Sequence, residues 1–266
     1  MSGPPRVLVG TLYAGEQEYG RCREALAAQE HAAWTHRTFE HLPNRQAHAA
    51  IYGLFARDRE HDLHLKLDAD MVFRTPADLG RIVELFADPA VDHLQLAVHD
   101  WFSDHRIMGI HAYRRGVRWR APGEDLFLDP YPLYRGRRLD LWGPPGPRID
   151  HCPDPGPYQA FHIGVHRALK ALQPGRGRGD FDARASRAHH LFLRRTWAHF
   201  RRTGERRLGL ALLGAELVLT GALALRRIER KGEELRELFA RHAELTGGEL
   251  AARLAGRESL FAPGPW

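Results

Sequence analysis

Short apolar runs alternate with amphipathic segments along the first part of the chain, and this alternation restricts the fold more than any other feature. The apolar runs predict strands over residues 7–11, 35–39, 63–67 and 94–98. Apolar residues at helical spacing predict helices over 16–30, over 47–55 and after a Thr75 cap. This order predicts an α/β fold with a doubly wound, mostly parallel sheet and helices on both faces.

The alternation stops near residue 100, and two different regions follow. Proline and glycine cluster at 143–147 and 153–157, which predicts a long irregular region from 100 to 157 with a hairpin near 107–119. Long loops in compact domains are usually functional or disordered, and the many aromatic residues here indicate an ordered region that binds something. From Tyr158 onward the pattern predicts only helices.

One apolar stretch raises the question of a membrane span. Residues 208–225 contain a single charge, Glu216. A spanning helix needs ~20 apolar residues, and a carboxylate at its centre costs about 2.5–3.5 kcal/mol. The stretch therefore predicts a helix buried inside the protein, and a position against a membrane surface stays open.

The charge balance points to an anionic partner without identifying it. The chain of 266 residues carries a net charge of +6, with a sequence pI near 9.7. A pyrophosphate, a nucleic acid and an anionic lipid surface all fit this balance. The charge is scattered, and the sequence contains no recognised nucleic-acid module, so a nucleic acid is the weakest of the three.

The cysteines and the N-terminus indicate a cytoplasmic protein. Cys22 and Cys152 lie far apart and match no metal-ligand spacing. The first residues lead into a strand and lack the pattern of a signal peptide. We therefore expect an intracellular chain without disulfides, with peripheral contact at the inner membrane as an open alternative.

Two acidic residues follow the third predicted strand. Asp68 and Asp70 stand where an apolar strand ends and before the next helix. Ligands of open α/β sheets bind beyond the carboxyl ends of the strands, and paired carboxylates suit Mg²⁺ or Mn²⁺ bridging two phosphates. Aspartate is also common in ordinary turns at strand ends, so the pair alone does not establish a metal site.

Several segments in this order resemble GT-A fold glycosyltransferases, in particular bacterial enzymes of the family-2 type. The resemblance rests on residues 7–13, Glu16, Gln29, the segment 44–48 and Lys66-Leu67-Asp68-Ala69-Asp70. It covers about the first 110 residues well and residues 150–170 more loosely. The chain has no convincing Gln-x-x-Arg-Trp segment, which excludes the processive synthases of that family.

The resemblance implies a function and a donor site. The activity would be transfer of a sugar from a nucleotide-diphosphate donor to a hydroxyl acceptor, with Mn²⁺ or Mg²⁺ as cofactor. Asp68 and Asp70 would hold the metal, Asp70 more directly. The residues implied to line the donor pocket are Thr11, Tyr13, Glu16, Asn44, His48 and Asp68.

A histidine from the later part of the chain is the implied third metal ligand. The resemblance places it at His151, His162 or His166, with His151 as our first choice. Imidazole is a reasonable companion to two carboxylates on Mn²⁺. Arg167 and Lys170 could instead neutralise the departing pyrophosphate.

The candidate base is an acidic pair in the aromatic-rich region. Glu124 and Asp125 follow a Pro-Gly turn, and an inverting transferase needs one carboxylate to accept the proton of the attacking hydroxyl. Asp100, Asp129 and Asp150 are alternatives. A retaining enzyme would need no such base.

These expectations divide the chain into three parts. Residues 1–110 would bind the nucleotide-sugar, 111–175 would form the acceptor side with a site-closing helix, and 176–266 would form helices packed on the core. A sugar-nucleotide nucleotidyltransferase is the alternative enzyme, although the Gly-rich loop typical of that class does not follow the first strand. A basic nucleic-acid-binding protein without catalysis is the alternative of another class.

Overall fold

A mixed β-sheet organises the N-terminal half of the protein. The computed structural model describes residues 3–123, 126–223 and 233–261. The strands are β1 (Val7–Tyr13), β2 (Trp34–Glu40), β3 (Leu63–Lys66), β4 (Met71–Phe73), β5 (Val91–Asp100), β6 (His105–Arg114), β7 (Arg118–Arg120), β8 (Tyr131–Leu133), β9 (Arg137–Leu141) and β10 (Ile149–His151). The helices among them are α1 (Tyr19–Ala27), α2 (Asn44–Arg57) and α3 (Asp78–Glu84).

The sheet has the order β2-β1-β3-β6-β5-β10-β4, with β9 also pairing β5. β1 runs parallel to β2 and β3, and β5 runs parallel to β9 and β10. β6 is antiparallel to β3, and β4 is antiparallel to β10. The predicted α/β class is therefore confirmed, and the parallel half of the sheet is the half that carries the predicted strand–helix alternation.

Alternation along the strands distributes side chains to helices on both faces of the sheet. Val7 and Val9 pack with Leu65 in a core that also contains α1 and α3 residues. Leu8 points to the other face, where it packs against Ile51 and Phe55 of α2. Because successive side chains of a strand point to opposite faces, β1 supports both layers at once.

The region from 100 to 157 is more regular than its composition predicts. Residues 107–114 belong to β6, which lies between β3 and β5, and β7 pairs with β8. The predicted hairpin near 107–119 is therefore wrong. β7 and β8 have three residues each and are mostly exposed, and β6 is exposed at its start, so local periodicity does not reveal these strands.

The helix after Thr75 also begins later than predicted. α3 starts at Asp78, with Ala77 as its N-cap residue. The Asp78 carboxylate accepts hydrogen bonds from the backbone N–H groups of Thr75 (2.7 Å) and Arg148 (2.8 Å). The capping role predicted for Thr75 is wrong, because the helix begins three residues later and the Asp78 carboxylate accepts the backbone N–H of Thr75.

The chain divides into two units, and the second is helical. One unit comprises Met1–Trp101 and Arg106–Asp154, and the other comprises Phe102–His105 and Pro155–Trp266. The second unit contains α4 (Pro157–Leu172), α5 (Ala183–Thr203), α6 (Arg206–Leu219), α7 (Glu233–Ala240) and α8 (Gly247–Leu254). The predicted helical C-terminal region is confirmed, whereas the three-part functional division stays a prediction.

The apolar stretch from 208 onward forms a buried helix over most of its length, as predicted, but the helix ends at Leu219 and residues 220–223 form a mostly exposed turn. Residues 208–218 of α6 are all buried. Residues 224 and 225, at the end of the stretch, lie outside the described part of the chain. Among the described helices, none combines the length and apolar character needed to cross a membrane.

Two glycines allow α4 and α6 to pack backbone to backbone. A Cβ atom at Gly164 would overlap the carbonyl oxygen of Ala211, and one at Gly214 would overlap the carbonyl oxygen of Phe161. A rigid backbone atom cannot move aside as the end of a flexible side chain can. Both positions therefore exclude any larger residue unless the helices separate.

We expect Gly164→Ala to destabilise the helical unit by about 1–3 kcal/mol or more, because the added methyl group forces α4 from α6. Urea denaturation followed by circular dichroism measures the change. Gly248→Ala is the matched control, since Gly248 lies exposed in α8 and an added Cβ would meet only the Thr246 hydroxyl, at 4.0 Å. This control should be neutral or slightly stabilising. Equal effects of the two substitutions would contradict the packing described here.

A buried aspartate with two histidines joins the end of α2 to β3. Asp58 binds His61 Nδ1 at 3.0 Å and His64 Nε2 at 2.9 Å. Burial alone would raise the pKa of Asp58, but the hydrogen bonds from the two histidines outweigh it and lower this pKa to about 2. The folded state therefore stabilises the ionised carboxylate.

We expect Asp58→Asn to lower the free energy of unfolding at neutral pH. The folded pKa lies below the ordinary value of 3.8, so the advantage of the wild type is complete above that value and disappears as pH falls toward 2. Urea denaturation from pH 7 to pH 3 should show the gap beginning to narrow at the acid end. In the control Asp62→Asn, a half-exposed ion pair with Arg115 is lost, while an amide oxygen remains to accept the backbone N–H of Arg6; the change should cost no more than about 0.5 kcal/mol.

Candidate active site

The Asp68-Ala69-Asp70 segment forms the turn between β3 and β4. The N–H of Leu67 donates to the carbonyl of Gly10 at 3.0 Å, which extends the pairing of β3 with β1. The N–H of Met71 then donates to the carbonyl of Asp68 at 2.9 Å and closes the turn. β1 and β3 are parallel, so this turn lies at the carboxyl edge of the sheet, where open α/β sheets bind their ligands.

β10 brings a second segment to the same turn. In the register of the sheet, His151 lies opposite Met71 of β4 and opposite Asp100 of β5. The N–H of the next residue, Cys152, donates to the carbonyl of Asp70 at 2.7 Å. The sheet thus places two residues from the end of β10 beside the second aspartate of the motif.

Three potential ligand atoms meet at this point. The Cys152 Sγ lies 3.3 Å from Asp70 Oδ2, and His151 Nε2 lies 3.7 Å from the same oxygen. The sulfur and the imidazole nitrogen are 3.6 Å apart. All three residues are buried, and they form a group that could hold a metal ion. The structure thus brings Asp70 and His151 together, as the resemblance implies.

Asp100 orients the imidazole of this group. Its Oδ1 lies 2.7 Å from His151 Nδ1, and its side chain is fully buried. A carboxylate only accepts hydrogen bonds, so Nδ1 carries the proton and donates it. The lone pair of Nε2 is then directed toward Asp70 and Cys152, the arrangement in which a histidine ligates metal.

Cys152 occupies an unusual backbone position. Its φ of 50° lies in the left-handed region, which is uncommon for a residue with a side chain. Burial, together with the negative charge of Asp70, raises the pKa of the Cys152 thiol well above its usual value. Without a cation the thiol therefore stays protonated and donates to the Asp70 carboxylate.

Asp68 has a different environment from Asp70. Both of its carboxylate oxygens lie close to Lys66 Nζ, at 2.9 and 3.1 Å. Its side chain is 32% exposed, whereas that of Asp70 is 5% exposed. The group of three potential ligands does not include Asp68, so the metal-binding role implied for it stays a prediction. Its carboxylate forms the solvent-facing side of the turn.

Lys66 connects Asp68 with a polar cluster next to α2. Lys66 Nζ lies 3.5 Å from Asp129 Oδ1, which also accepts a hydrogen bond from the Tyr52 hydroxyl at 2.9 Å. Burial would lower the pKa of Lys66, but the carboxylates of Asp129 and Asp68 outweigh it and raise this pKa. The ammonium therefore stays charged at every physiological pH.

His48 lies in the same cluster. Its Nε2 is 3.7 Å from Asp129 Oδ1, and its Nδ1 donates to the carbonyl of Asn44 at 2.9 Å. Burial lowers the pKa of His48 despite the nearby Asp129 carboxylate. Two residues expected beside the donor, His48 and Asp68, are thus linked through Lys66 and Asp129.

The residues expected to line the nucleotide pocket lie at the end of β1. The Thr11 hydroxyl is 2.9 Å from His36 Nε2, so a neighbouring strand already occupies it. The Tyr13 ring stacks on Tyr19 with centroids 4.2 Å apart. The buried Glu16 carboxylate accepts the N–H of Ala14 at 2.6 Å and thereby closes the loop after β1. Their roles in binding stay predictions.

The remaining candidates lie elsewhere. Glu124 and Asp125 lie outside the described residues. Asp150, one of the alternatives to Glu124 and Asp125 as the base, has its carboxylate paired with Arg74. His162 and His166 belong to α4 in the helical unit, where burial lowers the pKa of His162 to about 4.

Sequence reasoning missed the part of Cys152 and the orienting role of Asp100. The spacing of the cysteines along the chain argued against Cys152 as a ligand, because Asp70 lies far from it in sequence. The one local signal is that Cys152 directly follows His151, which is itself a candidate ligand. The sequence offers Asp100 only as an alternative base, whereas its full burial against His151 favours an orienting role.

The fold and the site together define an α/β protein with a buried candidate metal centre at the carboxyl edge of its sheet. No family model and no curated protein matches the sequence significantly. Among solved structures, it is similar to the mannosyltransferase PcManGT from Pyrobaculum calidifontis in complex with GDP-Man and Mn²⁺, at 16% identity and a TM-score of 0.41, over 98% of this chain and 86% of the other. It is also similar to S. aureus TarS residues 1–349, at 12% identity and a TM-score of 0.36, over 94% and 91% of the two chains.

We expect Asp100→Ala to lower the free energy of unfolding by about 1–3 kcal/mol, because it leaves the buried Nδ1 of His151 without its acceptor. Chemical denaturation of the full chain measures this change. Asp140→Ala removes a carboxylate from a surface ion pair with Arg138 and is the matched control. The control should change stability by at most about 1 kcal/mol. A silent Asp100→Ala would show that the buried pair does not hold the histidine.

Proposed function

We propose that this protein is a metal-dependent glycosyltransferase that moves a sugar from a nucleotide-diphosphate donor to an acceptor hydroxyl. The observation that carries the proposal is the convergence of Asp70 and His151 at the carboxyl edge of the sheet, with Asp68 on the exposed side of the same turn. The resemblance in the sequence adds support, since it singles out the same turn. The fold alone does not imply a reaction.

The donor set decides which of the two expected cations suits the site. Asp70 offers a carboxylate oxygen, and His151 offers an imidazole nitrogen directed by Asp100. Mn²⁺ accepts carboxylate ligands together with imidazole, whereas Mg²⁺ strongly prefers oxygen ligands and water. Of the expected pair, the residues present therefore fit Mn²⁺ better. A bound cation would supply charge neutralisation of the diphosphate as it leaves.

The other residues of the site have roles that follow from their positions. Asp100 holds the His151 ring in one orientation, so the Nε2 lone pair needs no reorganisation on binding. Lys66 compensates the charge of Asp68, which keeps two neighbouring carboxylates from repelling one another. Because Asp68 is the more exposed aspartate, we infer that the diphosphate approaches from its side.

The donor pocket and the base remain part of the proposal. Thr11, Tyr13 and Glu16 would surround the nucleotide from the end of β1, and Asn44 and His48 from the start of α2. Glu124 or Asp125 would accept the proton of the attacking hydroxyl in an inverting reaction. Asp100, Asp129 and Asp150 are the alternatives, and each of their carboxylates accepts a hydrogen bond from another side chain.

A thermal-shift screen of nucleoside diphosphates, with and without Mn²⁺, tests the proposal. At about 100 times the dissociation constant, ligand binding stabilises by about 2.7 kcal/mol, which for this size of protein raises Tm by roughly 5–10 °C. We expect this shift for at least one nucleoside diphosphate, and only when Mn²⁺ is present. The nucleotide sugar that contains this nucleoside diphosphate should release it during incubation with the protein and Mn²⁺.

Two variants locate the effect. Asp70→Asn keeps the shape of the side chain and should abolish the metal-dependent shift, while Asp140→Ala on the surface should keep it. Circular dichroism confirms that each variant is folded. A nucleotide shift that survives EDTA, or one that survives Asp70→Asn, would refute the metal-dependent mechanism.

A further inference from the structure

The third member of the candidate metal centre suggests a more specific chemistry. Cys152 is a buried thiol whose sulfur lies 3.3 Å from Asp70 Oδ2 and belongs to the same group of potential ligands. No part of the proposed transfer reaction requires a sulfur atom there. The position therefore calls for its own explanation, one that rests on the metal site of the proposed function and extends it.

The spacing of the three potential ligand atoms distinguishes two kinds of cation. Their separations are 3.3, 3.6 and 3.7 Å. Tetrahedral bonds of about 2.0–2.3 Å, typical of zinc sites, place neighbouring ligand atoms roughly 3.3–3.8 Å apart. The octahedral bonds of about 2.0–2.1 Å that Mg²⁺ requires would place them roughly 2.8–3.0 Å apart. The observed separations are closer to those of one face of a tetrahedron than to those of an octahedron.

The backbone holds the sulfur in this position. Cys152 adopts a left-handed φ of 50°, and its N–H donates to the carbonyl of Asp70 at 2.7 Å. The side chain of His151, one residue earlier, is fixed by Asp100 at 2.7 Å. Consecutive residues of an extended strand point to opposite faces, so the left-handed turn at Cys152 is what lets both adjacent side chains reach one point.

We propose that Cys152 is a third protein ligand of the cation held by Asp70 and His151, and that it makes the site select thiophilic divalent cations such as Zn²⁺ and Co²⁺ over Mg²⁺. Soft thiolate ligands favour zinc and similar ions, whereas oxygen ligands favour Mg²⁺. On binding, the Cys152 S–H bond breaks, the proton passes to the buffer, and a sulfur–metal bond forms. Three protein ligands leave a fourth position for water or a diphosphate oxygen.

Cobalt absorption spectroscopy tests this ligand directly. The full chain is stripped of metal with EDTA, desalted and titrated with Co²⁺, which gives a near-ultraviolet charge-transfer band when a thiolate coordinates it. We expect one such band that saturates at one Co²⁺ per chain. The chain has two cysteines, so Cys22→Ser is the matched control: it should keep the band. Retention in that variant assigns the band to Cys152 even if a Cys152 variant does not fold.

Cys152→Ser supplies the second measurement. It should remove the band and weaken Co²⁺ and Zn²⁺ binding by about 10- to 100-fold or more. Substitutions of residues that only hydrogen-bond to a metal ligand already weaken binding by that much. Mn²⁺ affinity should fall less, because Mn²⁺ gains less from sulfur. Co²⁺ that binds the wild type without a band, or a band lost in Cys22→Ser, would overturn the assignment.

The two proposals fail separately. A cobalt–thiolate band with no nucleoside diphosphate shift for any cation would retain the thiolate ligand and reject the transferase. A metal-dependent nucleotide shift without a cobalt–thiolate band would retain the transferase and reject Cys152 as a ligand. The thermal-shift screen and the cobalt titration use the same metal-free preparation.

Discussion

The insertion of β10 between β5 and β4 is the constraint on which the candidate site depends. Because β10 is parallel to β5 and antiparallel to β4, a strand of three residues joins two separate parts of the chain. It delivers His151 to Asp100 on one side and Cys152 to Asp70 on the other. A slip of one residue would turn each side chain to the opposite face and disperse the group.

The two aspartates of the turn show how one motif produces two different environments. Asp68 follows the face of β3 that carries Lys66, and the lysine ammonium neutralises it. Asp70 lies past the strand, buried against an imidazole and a thiol. Asp70 is thus the more buried aspartate and the one that lies beside two further potential ligand atoms, which makes it a better candidate than Asp68 to hold a cation.

The sequence pattern predicted those helices and strands whose burial shows in the spacing of neighbouring apolar residues. β1, β3, α2 and the helices after residue 158 follow from apolar periodicity, because burial of one helix stripe or one strand face is visible in the spacing. β9 and β10 were missed for the opposite reason. β9 reads Arg-Arg-Leu-Asp-Leu and is half exposed, and both strands are stabilised by pairing with β5, far away in sequence. α3 shows the same limit on a smaller scale, where Asp78 rather than Thr75 satisfies the turn.

The sequence by itself determined the α/β class and the helical C-terminal region, because each depends on residue type and short-range spacing. Its resemblance to GT-A glycosyltransferases singled out Asp70 and His151 as candidate ligands. Only the tertiary structure decided that Asp68 pairs with Lys66, that Asp100 orients His151, and that Cys152 joins Asp70 across 82 positions of sequence. Those contacts depend on which strand lies beside which. Strand order is set by the packing of the whole sheet, and no local periodicity records it.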